Sequence, residues 1–118
     1  MSSDSLPFTM ATVLAQCGGN KMVAGAVLEE FLSQVPTDIG EMEAGLTSGD
    51  LITASKAAHR LKGTAGVLGA VGLHPLCTDM ETTCKSGDAA KSAEIFVELK
   101  AEAQKCVDAV PTGLELLK

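Results

Sequence analysis

The residues best suited to chemistry lie in the run 58–66 (AHRLKGTAG), which contains His59, Lys62 and Gly63. Positions i, i+3 and i+4 share one face of an α-helix, so the lysine and the glycine flank the imidazole if this run is helical. A glycine in mid-helix costs about 1 kcal/mol relative to alanine, and we interpret Gly63 as clearance for another molecule. An exposed imidazole nitrogen can accept a phosphoryl group, and Lys62 can neutralise part of its charge.

A helical wheel of segment 51–68 places the histidine outside the core face. The predicted core face consists of Leu51, Ala54, Ala58, Leu61, Ala65 and Leu68. His59 lies on a flank with Gly63, and Lys62 lies between it and the edge of the core. Most side chains on this flank are small, so the imidazole is predicted to be exposed. The predicted docking positions for a partner on the same flank are Ile52, Ser55 and Gly66.

The next segment supplies a candidate partner for the imidazole. If the chain turns near residues 70 and 71, antiparallel packing brings His59 level with residues 81 and 82. Glu81 is then placed to accept the Nδ1 proton, which would fix the tautomer and leave Nε2 free as a nucleophile. An ordinary exposed carboxylate is the alternative interpretation of Glu81.

Composition limits the classes of fold and partner. The chain has 118 residues, of which 46% are hydrophobic, with no Trp or Tyr and three Phe, which favours an aliphatic core between helices. The net charge of −6 argues against nucleic acid as a partner. No apolar run approaches the ~18 residues of a membrane span, and residues 1–5 do not resemble a signal peptide.

The four cysteines are too sparse for a disulfide framework, which predicts a reducing, cytoplasmic setting. They are Cys17, Cys77, Cys84 and Cys106. His74, Cys77 and Cys84 have helical spacing, but three ligands on one helix suit tetrahedral metal geometry poorly. We therefore predict no metal site. The glycines near His59 do not form a phosphate-binding loop between a strand and a helix either.

Capping and breaking residues predict a short leading helix and a second helix after it. The leading helix is expected over about 8–16, with Pro7 in its first turn and Ser5 as its cap. Asn20 is expected to cap the second helix. Pro36 interrupts this pattern, so the segment is either one kinked helix or two abutting helices.

The remaining segments predict a helical hairpin followed by a last helix. The hairpin helices are expected at about 51–68 and about 73–86. After Asp88, the last helix is expected to run to about Val110, where Pro111 and Gly113 end or bend it. The tail Leu114, Leu116 and Leu117 is expected to pack back on the body. Short connections force antiparallel neighbours, so the fold class is all-α: an up-and-down four-helix bundle with a short additional N-terminal helix, in one domain over 1–118.

The run 58–69 (AHRLKGTAGVLG), continuing to Leu73, Leu76 and Glu81, resembles histidine-containing phosphotransfer (HPt) domains. The resemblance extends over about residues 20–110. It implies that His59 is the phosphoacceptor, Lys62 the phosphate-facing cation and Gly63 the clearance position. Glu81 occupies the place from which family members often hydrogen-bond the histidine.

The resemblance also implies a function. Family members exchange phosphate with aspartates of response-regulator receiver domains in two-component phosphorelays, and the receiver supplies Mg²⁺. The chain is then expected to be a monomeric phosphocarrier with no cofactor and no kinase or ATPase activity. Its expected partners are receiver domains and a hybrid histidine kinase.

Two alternatives stay open at this point. The chain could be the phosphorylated module of a chemotaxis-type histidine kinase, cut from a longer protein, or a receiver-binding scaffold that carries no phosphate. Exposed apolar residues near the start, namely Leu6, Phe8 and Met10, are expected to contribute to receiver docking.

Overall fold

A computed structural model describes residues 6–118, and over that range the chain is all-helical. The helices are α1 (Met10–Gln16), α2 (Lys21–Ser48), α3 (Leu51–Leu68), α4 (Leu73–Lys85) and α5 (Ala89–Leu116). The all-α prediction is confirmed. Within residues 6–118, no helix combines the length and the apolarity needed to cross a membrane.

Helices α2 to α5 form an up-and-down bundle. Each packs against the next in sequence, and α2 also packs against α5, which closes the ring. The connections are short, covering residues 49–50, 69–72 and 86–88, so successive helices must run antiparallel. Helix α1 packs on α2 and α3 at one end of the bundle.

Side-chain caps begin three of the four bundle helices. Carboxamide or carboxylate oxygens of Asn20, Asp50 and Asp88 accept the backbone N–H three residues later, at 3.0–3.1 Å. Each cap satisfies an N–H that the first helical turn leaves without a partner. Because α3 begins at the capped position after Asp50, the cap fixes where His59 falls along the bundle.

Proline does not end a helix in this protein. Helix α2 is one helix through Pro36, and α5 continues through Pro111 to Leu116. The expectation that α5 stops near Val110 is wrong, because residues 111–116 continue the helix. Leu114 and Leu117 pack against the core from its last turn and cap. Each proline lies on the exposed side of its helix, while residues around it, such as Val110 and Gly113, are buried in the core. Packing of both flanks offsets the lost backbone hydrogen bond.

The segment before α1 also differs from prediction. Helix α1 begins at Met10, so Pro7 precedes it, and the proposed cap Ser5 lies outside the described residues. The backbone N–H of Thr9 donates to the Leu68 carbonyl oxygen at 3.0 Å, which ties this segment to the end of α3.

Phe8 and Met10 are core residues. Both are buried, and a Cβ added to Gly113 of α5 would lie 3.2 Å from a Phe8 ring carbon and 3.3 Å from the Met10 sulfur. Leu6 is partly buried against the same core. The expectation that these residues form an exposed docking surface is therefore wrong, because they close the end of the bundle.

Helix α3 is buried over a wider arc than its periodicity indicates. Ala54, Ala58, Leu61, Ala65 and Leu68 are fully buried as predicted, whereas Leu51 is partly exposed. Ser55 and Ala57 are buried as well, because α2 and α4 pack against opposite flanks of α3. The face that remains outside includes Ile52, Lys56, His59 and Gly63.

Candidate functional site

His59 stands in the middle of α3 with most of its side chain in solvent. The side chain is 66% exposed, and its Nδ1 lies 3.0 Å from Oε2 of Glu81 on α4. Within residues 6–118, Nδ1 is the ring nitrogen that makes a hydrogen bond. The hairpin of α3 and α4 thus anchors one nitrogen and leaves Nε2 on the solvent side.

Glu81 is the most heavily hydrogen-bonded side chain of this region. Its side chain is 10% exposed, and besides the imidazole it accepts from Lys62 Nζ at 2.8 Å and from Lys85 Nζ at 2.9 Å. The hydrogen bond from Lys62 and then that from Lys85 lower the pKa of Glu81 to about 2. The carboxyl group is therefore ionised throughout the physiological pH range.

The ionised state of Glu81 determines the tautomer of His59. A carboxylate only accepts hydrogen bonds, so the contact requires a proton on Nδ1 of the imidazole. When the ring is neutral, Nε2 then carries the lone pair. The exposed nitrogen is the nucleophilic one, and Glu81 is placed to stabilise the positive charge that develops when Nε2 forms a bond.

The two lysines occupy different positions around Glu81. Lys62 is half-buried and binds Oε1, whereas Lys85 is exposed and binds Oε2, the oxygen that also accepts from His59. Sequence reasoning singled out Lys62 and missed Lys85. The signal for Lys85 was present, because an acidic residue and a lysine at i and i+4 on one helix commonly pair.

A groove of about 440 Å³ lies beside the imidazole. It is lined by Ser55, Lys56, His59, Arg60, Glu81 and Lys85. Lys62 is not among the lining residues. Three of the six side chains, those of Lys56, Arg60 and Lys85, carry a positive charge at neutral pH. Arg60 and Lys85 are paired with carboxylates, so Lys56 is the cation of the groove lining without a carboxylate partner among residues 6–118.

The predicted docking positions are not equally accessible. Ile52 and Gly66 are exposed on either side of His59, and Ile52 is one of the exposed large apolar residues of the protein. Ser55 is only 4% exposed and lies at the floor of the groove. It offers a partner little surface, because α4 packs over that side of α3.

Gly63 has no packing reason to lack a side chain. A Cβ built at this position meets nothing within 4 Å outside the local helix backbone. Gly45 of α2 differs, since a Cβ there would lie 2.7 Å from the Asp50 carbonyl oxygen. Packing therefore does not require a glycine at this position beside His59.

A buried polar network ties α2 to α3 one residue from the histidine. Asp38 is fully buried, and its Oδ1 accepts from Arg60 Nε at 3.1 Å and from Gln34 Nε2 at 3.0 Å. Arg60 also forms an ion pair with Glu41. Burial raises the pKa of Asp38 despite these donors, and its Oδ2 has no partner among the described residues. Sequence reasoning did not find this network.

Metal-ligand geometry is not found around the histidines and cysteines. Across residues 6–118 no group of three or more His, Cys, Asp or Glu side chains is arranged to hold a metal ion. Cys77 and Cys106 are buried, and burial raises the pKa of each thiol to about 12. These thiols therefore behave as small core groups rather than as thiolate ligands.

Most of the chain matches a known protein family. Residues 26–110 match the family model of the Hpt domain. The chain belongs to the Hpt domain family. As an Hpt domain it is a phosphotransfer module of two-component phosphorelay signalling, a system whose partner classes are response-regulator receiver domains and histidine kinases.

The fold of this Hpt domain is shared with a solved structure. The HPT domain of the Hpt sensor hybrid histidine kinase from Shewanella superimposes with a TM-score of 0.81. The two are 22% identical, and the match covers 93% of this chain and 95% of the other. At this identity the similarity establishes the common fold. A comparison with curated proteins gives no match.

Proposed function

We propose that His59 is the phosphoacceptor of this Hpt domain and that it exchanges a phosphoryl group with aspartates of receiver domains. The observation that carries the proposal is the 3.0 Å contact between Nδ1 and Glu81 Oε2 on a side chain that is 66% exposed. This contact orients the ring and directs the lone pair of Nε2 outward. His74, the other histidine, has no carboxylate partner among the described residues.

The transfer follows from the placement of these groups. The Nε2 lone pair attacks the phosphorus of an aspartyl phosphate, the N–P bond forms, and the O–P bond breaks so that the aspartate leaves as a carboxylate. The proton on Nδ1 stays in place, and the charge that develops on the ring is stabilised by Glu81. The reverse reaction returns the phosphoryl group to a receiver.

The remaining requirements fall on the partner. We infer that the receiver supplies Mg²⁺ and the aspartate, and that this chain acts as a phosphocarrier without kinase or ATPase activity of its own. Gly63 and Gly66 leave room beside the imidazole for the receiver's active site. In-line attack needs the two reacting groups in close contact, so this room is a condition of the reaction.

Phosphate transfer from a radiolabelled, phosphorylated receiver in the presence of Mg²⁺ tests the proposal. Wild type and His74→Gln are expected to take up label that is acid-labile and base-stable, whereas His59→Gln takes up none. Label on His59→Gln at the wild-type level would exclude His59 as the acceptor.

The donor separates the remaining alternatives. Label that comes only from an ATP-bound kinase catalytic domain, and never from a receiver, identifies the module of a chemotaxis-type kinase instead. Receiver binding that is unaffected by His59→Ala, with no uptake of phosphate from any donor, identifies a scaffold.

A further inference from the structure

The groove beside His59 contains a lysine that the family resemblance does not single out. Lys85 lines this groove together with His59 and Glu81, whereas Lys62 does not line it. Lys85 Nζ and His59 Nδ1 are both bound to Glu81 Oε2, at 2.9 and 3.0 Å. The ammonium group is therefore held within two hydrogen-bond lengths of the imidazole.

The two lysines also differ in how firmly Glu81 holds them. Lys62 reaches Glu81 from the neighbouring helix, and its side chain is 28% exposed. Lys85 pairs with Glu81 four residues away on the same helix, and its side chain is 66% exposed. An exposed i,i+4 pair contributes only about 0.3–0.5 kcal/mol, so Lys85 can exchange partners at little cost.

Phosphorylation would change the charge balance that keeps Lys85 on Glu81. With a neutral imidazole, the two lysines and the single carboxylate leave a net positive charge. A phosphoryl group adds about −1.5 to −2 and three strong acceptor oxygens. Because Nδ1 keeps its proton, the ring becomes positive and strengthens its own pairing with Glu81, whereas the negative charge lies on the phosphoryl oxygens. The more mobile ammonium of Lys85 therefore gains most by turning to those oxygens.

We propose, on the basis that His59 is the acceptor, that Lys85 binds the phosphoryl group of phosphorylated His59 while Lys62 holds Glu81 in place. Lys85 thereby has the phosphate-facing role that the family resemblance assigns to Lys62. Lys56, three residues before His59 on α3, lines the same groove and supplies a second positive charge. The Lys62–Glu81 pair keeps the acceptor for Nδ1 oriented throughout.

Chemical phosphorylation of the full chain tests this assignment without a partner protein. Phosphoramidate phosphorylates histidine directly, and ³¹P NMR then follows the titration of the phosphoryl group of phosphohistidine with pH. A cation in contact with the phosphoryl group favours the dianion and lowers the pH at which it forms. Lys85→Ala is therefore expected to raise this pH by about 0.5 unit or more, and Lys85→Arg is expected to keep the wild-type titration.

Three further samples make the outcome decisive. Lys105→Ala, which removes a surface lysine paired with Glu102, is expected to titrate as wild type. Lys62→Ala is expected to keep the wild-type titration but to accept phosphate more slowly, because Glu81 is less well held. A wild-type titration in Lys85→Ala together with a shifted one in Lys62→Ala would overturn the assignment. A wild-type chain that takes up no phosphate at His59 would instead overturn the proposed function itself.

Discussion

Nδ1 of His59 lies 3.0 Å from Oε2 of Glu81, a residue 22 positions further along the chain. The contact joins the midpoint of α3 to α4 and involves a carboxylate that two lysines keep ionised. The consequence is a single tautomer with its nucleophilic nitrogen facing solvent. If His59 is the phosphoacceptor proposed above, its ring is already oriented before a receiver binds.

Removing the acceptor for Nδ1 should slow phosphorylation of the histidine. Glu81→Ala is expected to reduce the rate of labelling by phosphoramidate about tenfold, the size typical of a lost orienting partner. The neutral ring then divides between two tautomers, and the developing positive charge has no acceptor. Glu81→Gln loses the charge but keeps an oxygen acceptor, so its rate should fall between those of wild type and Glu81→Ala.

Glu98→Ala is the control for this series, because Glu98 is an exposed carboxylate on α5. It should label at the wild-type rate. Equal rates for Glu81→Ala and Glu98→Ala would mean that Glu81 does not orient the imidazole.

The same carboxylate should make stability depend on acidity. The pKa of Glu81 is lowered from 4.5 to about 2 in the folded protein. A lowered pKa means that the stabilisation is present above the ordinary value and is lost as the pH falls through the folded value. The difference in free energy of unfolding between wild type and Glu81→Gln should therefore shrink by about 1 kcal/mol between about pH 6 and pH 2. Urea unfolding across this range measures it, and a difference that is constant with pH would contradict the ion pairs seen here.

The contribution of Asp38 to the free energy of unfolding should change with pH in the opposite direction. Burial raises its pKa, so the folded state binds a proton more readily than the unfolded chain does, and the contribution of this group to stability falls as the pH rises through the raised value. Wild type should therefore gain stability relative to Asp38→Asn as the pH is lowered from neutrality. At neutral pH we expect Asp38→Asn to lie within about 1 kcal/mol of wild type, since an amide oxygen can still accept from Arg60 and Gln34.

Urea unfolding of Asp38→Asn, run beside the Glu81→Gln series, separates the two carboxylates. For each variant, the difference in free energy of unfolding from wild type is plotted against pH. If the two plots slope in the same direction, the Asp38–Arg60 ion pair stabilises the protein, as the ion pairs of Glu81 are expected to do.

The parts of the fold that follow from local chemistry were predictable from the sequence. Asp50 as a cap, Gly69 after the last turn and the apolar spacing between them define α3 over the range expected, and they need only neighbouring residues. The position of Glu81 opposite His59 follows from a short turn, because a hairpin of two helices has one register once its turn is known. These features together locate the imidazole, its neighbours and the facing helix.

Other features depend on contacts between residues that are far apart in the sequence, and local patterns do not predict such contacts. Pro111 predicts the end of a helix. However, burial of Val110 and Gly113 outweighs the cost of a proline inside a helix, which is about 3 kcal/mol or more. Phe8 is the first residue of the expected leading helix, and no local pattern indicates that it closes the core. The Asp38–Arg60 pair joins separate helices, and the sharing of Glu81 by two lysines depends on side-chain rotamers. These are outcomes of three-dimensional packing.

Adding a side chain at Gly63 should separate the fold from the function. A Cβ there meets no neighbour, so Gly63→Ala is expected to raise the free energy of unfolding by up to about 1 kcal/mol through helix propensity. Both Gly63→Ala and Gly63→Leu should still be labelled by phosphoramidate, because a small donor can reach Nε2. Transfer from a phosphorylated receiver should fall, by about tenfold or more for Gly63→Leu, since the larger side chain holds the two reacting groups apart.

Gly40 supplies the matched control, since it is an exposed mid-helix glycine in α2 where a Cβ likewise meets nothing within 4 Å. Gly40→Ala and Gly40→Leu should gain similar stability and keep full transfer from the receiver. Comparing the two positions by urea unfolding and by receiver-dependent transfer isolates the effect of location. If Gly63→Leu accepts phosphate from the receiver as fast as Gly40→Leu does, the receiver does not approach over Gly63, and the glycine has no role in docking.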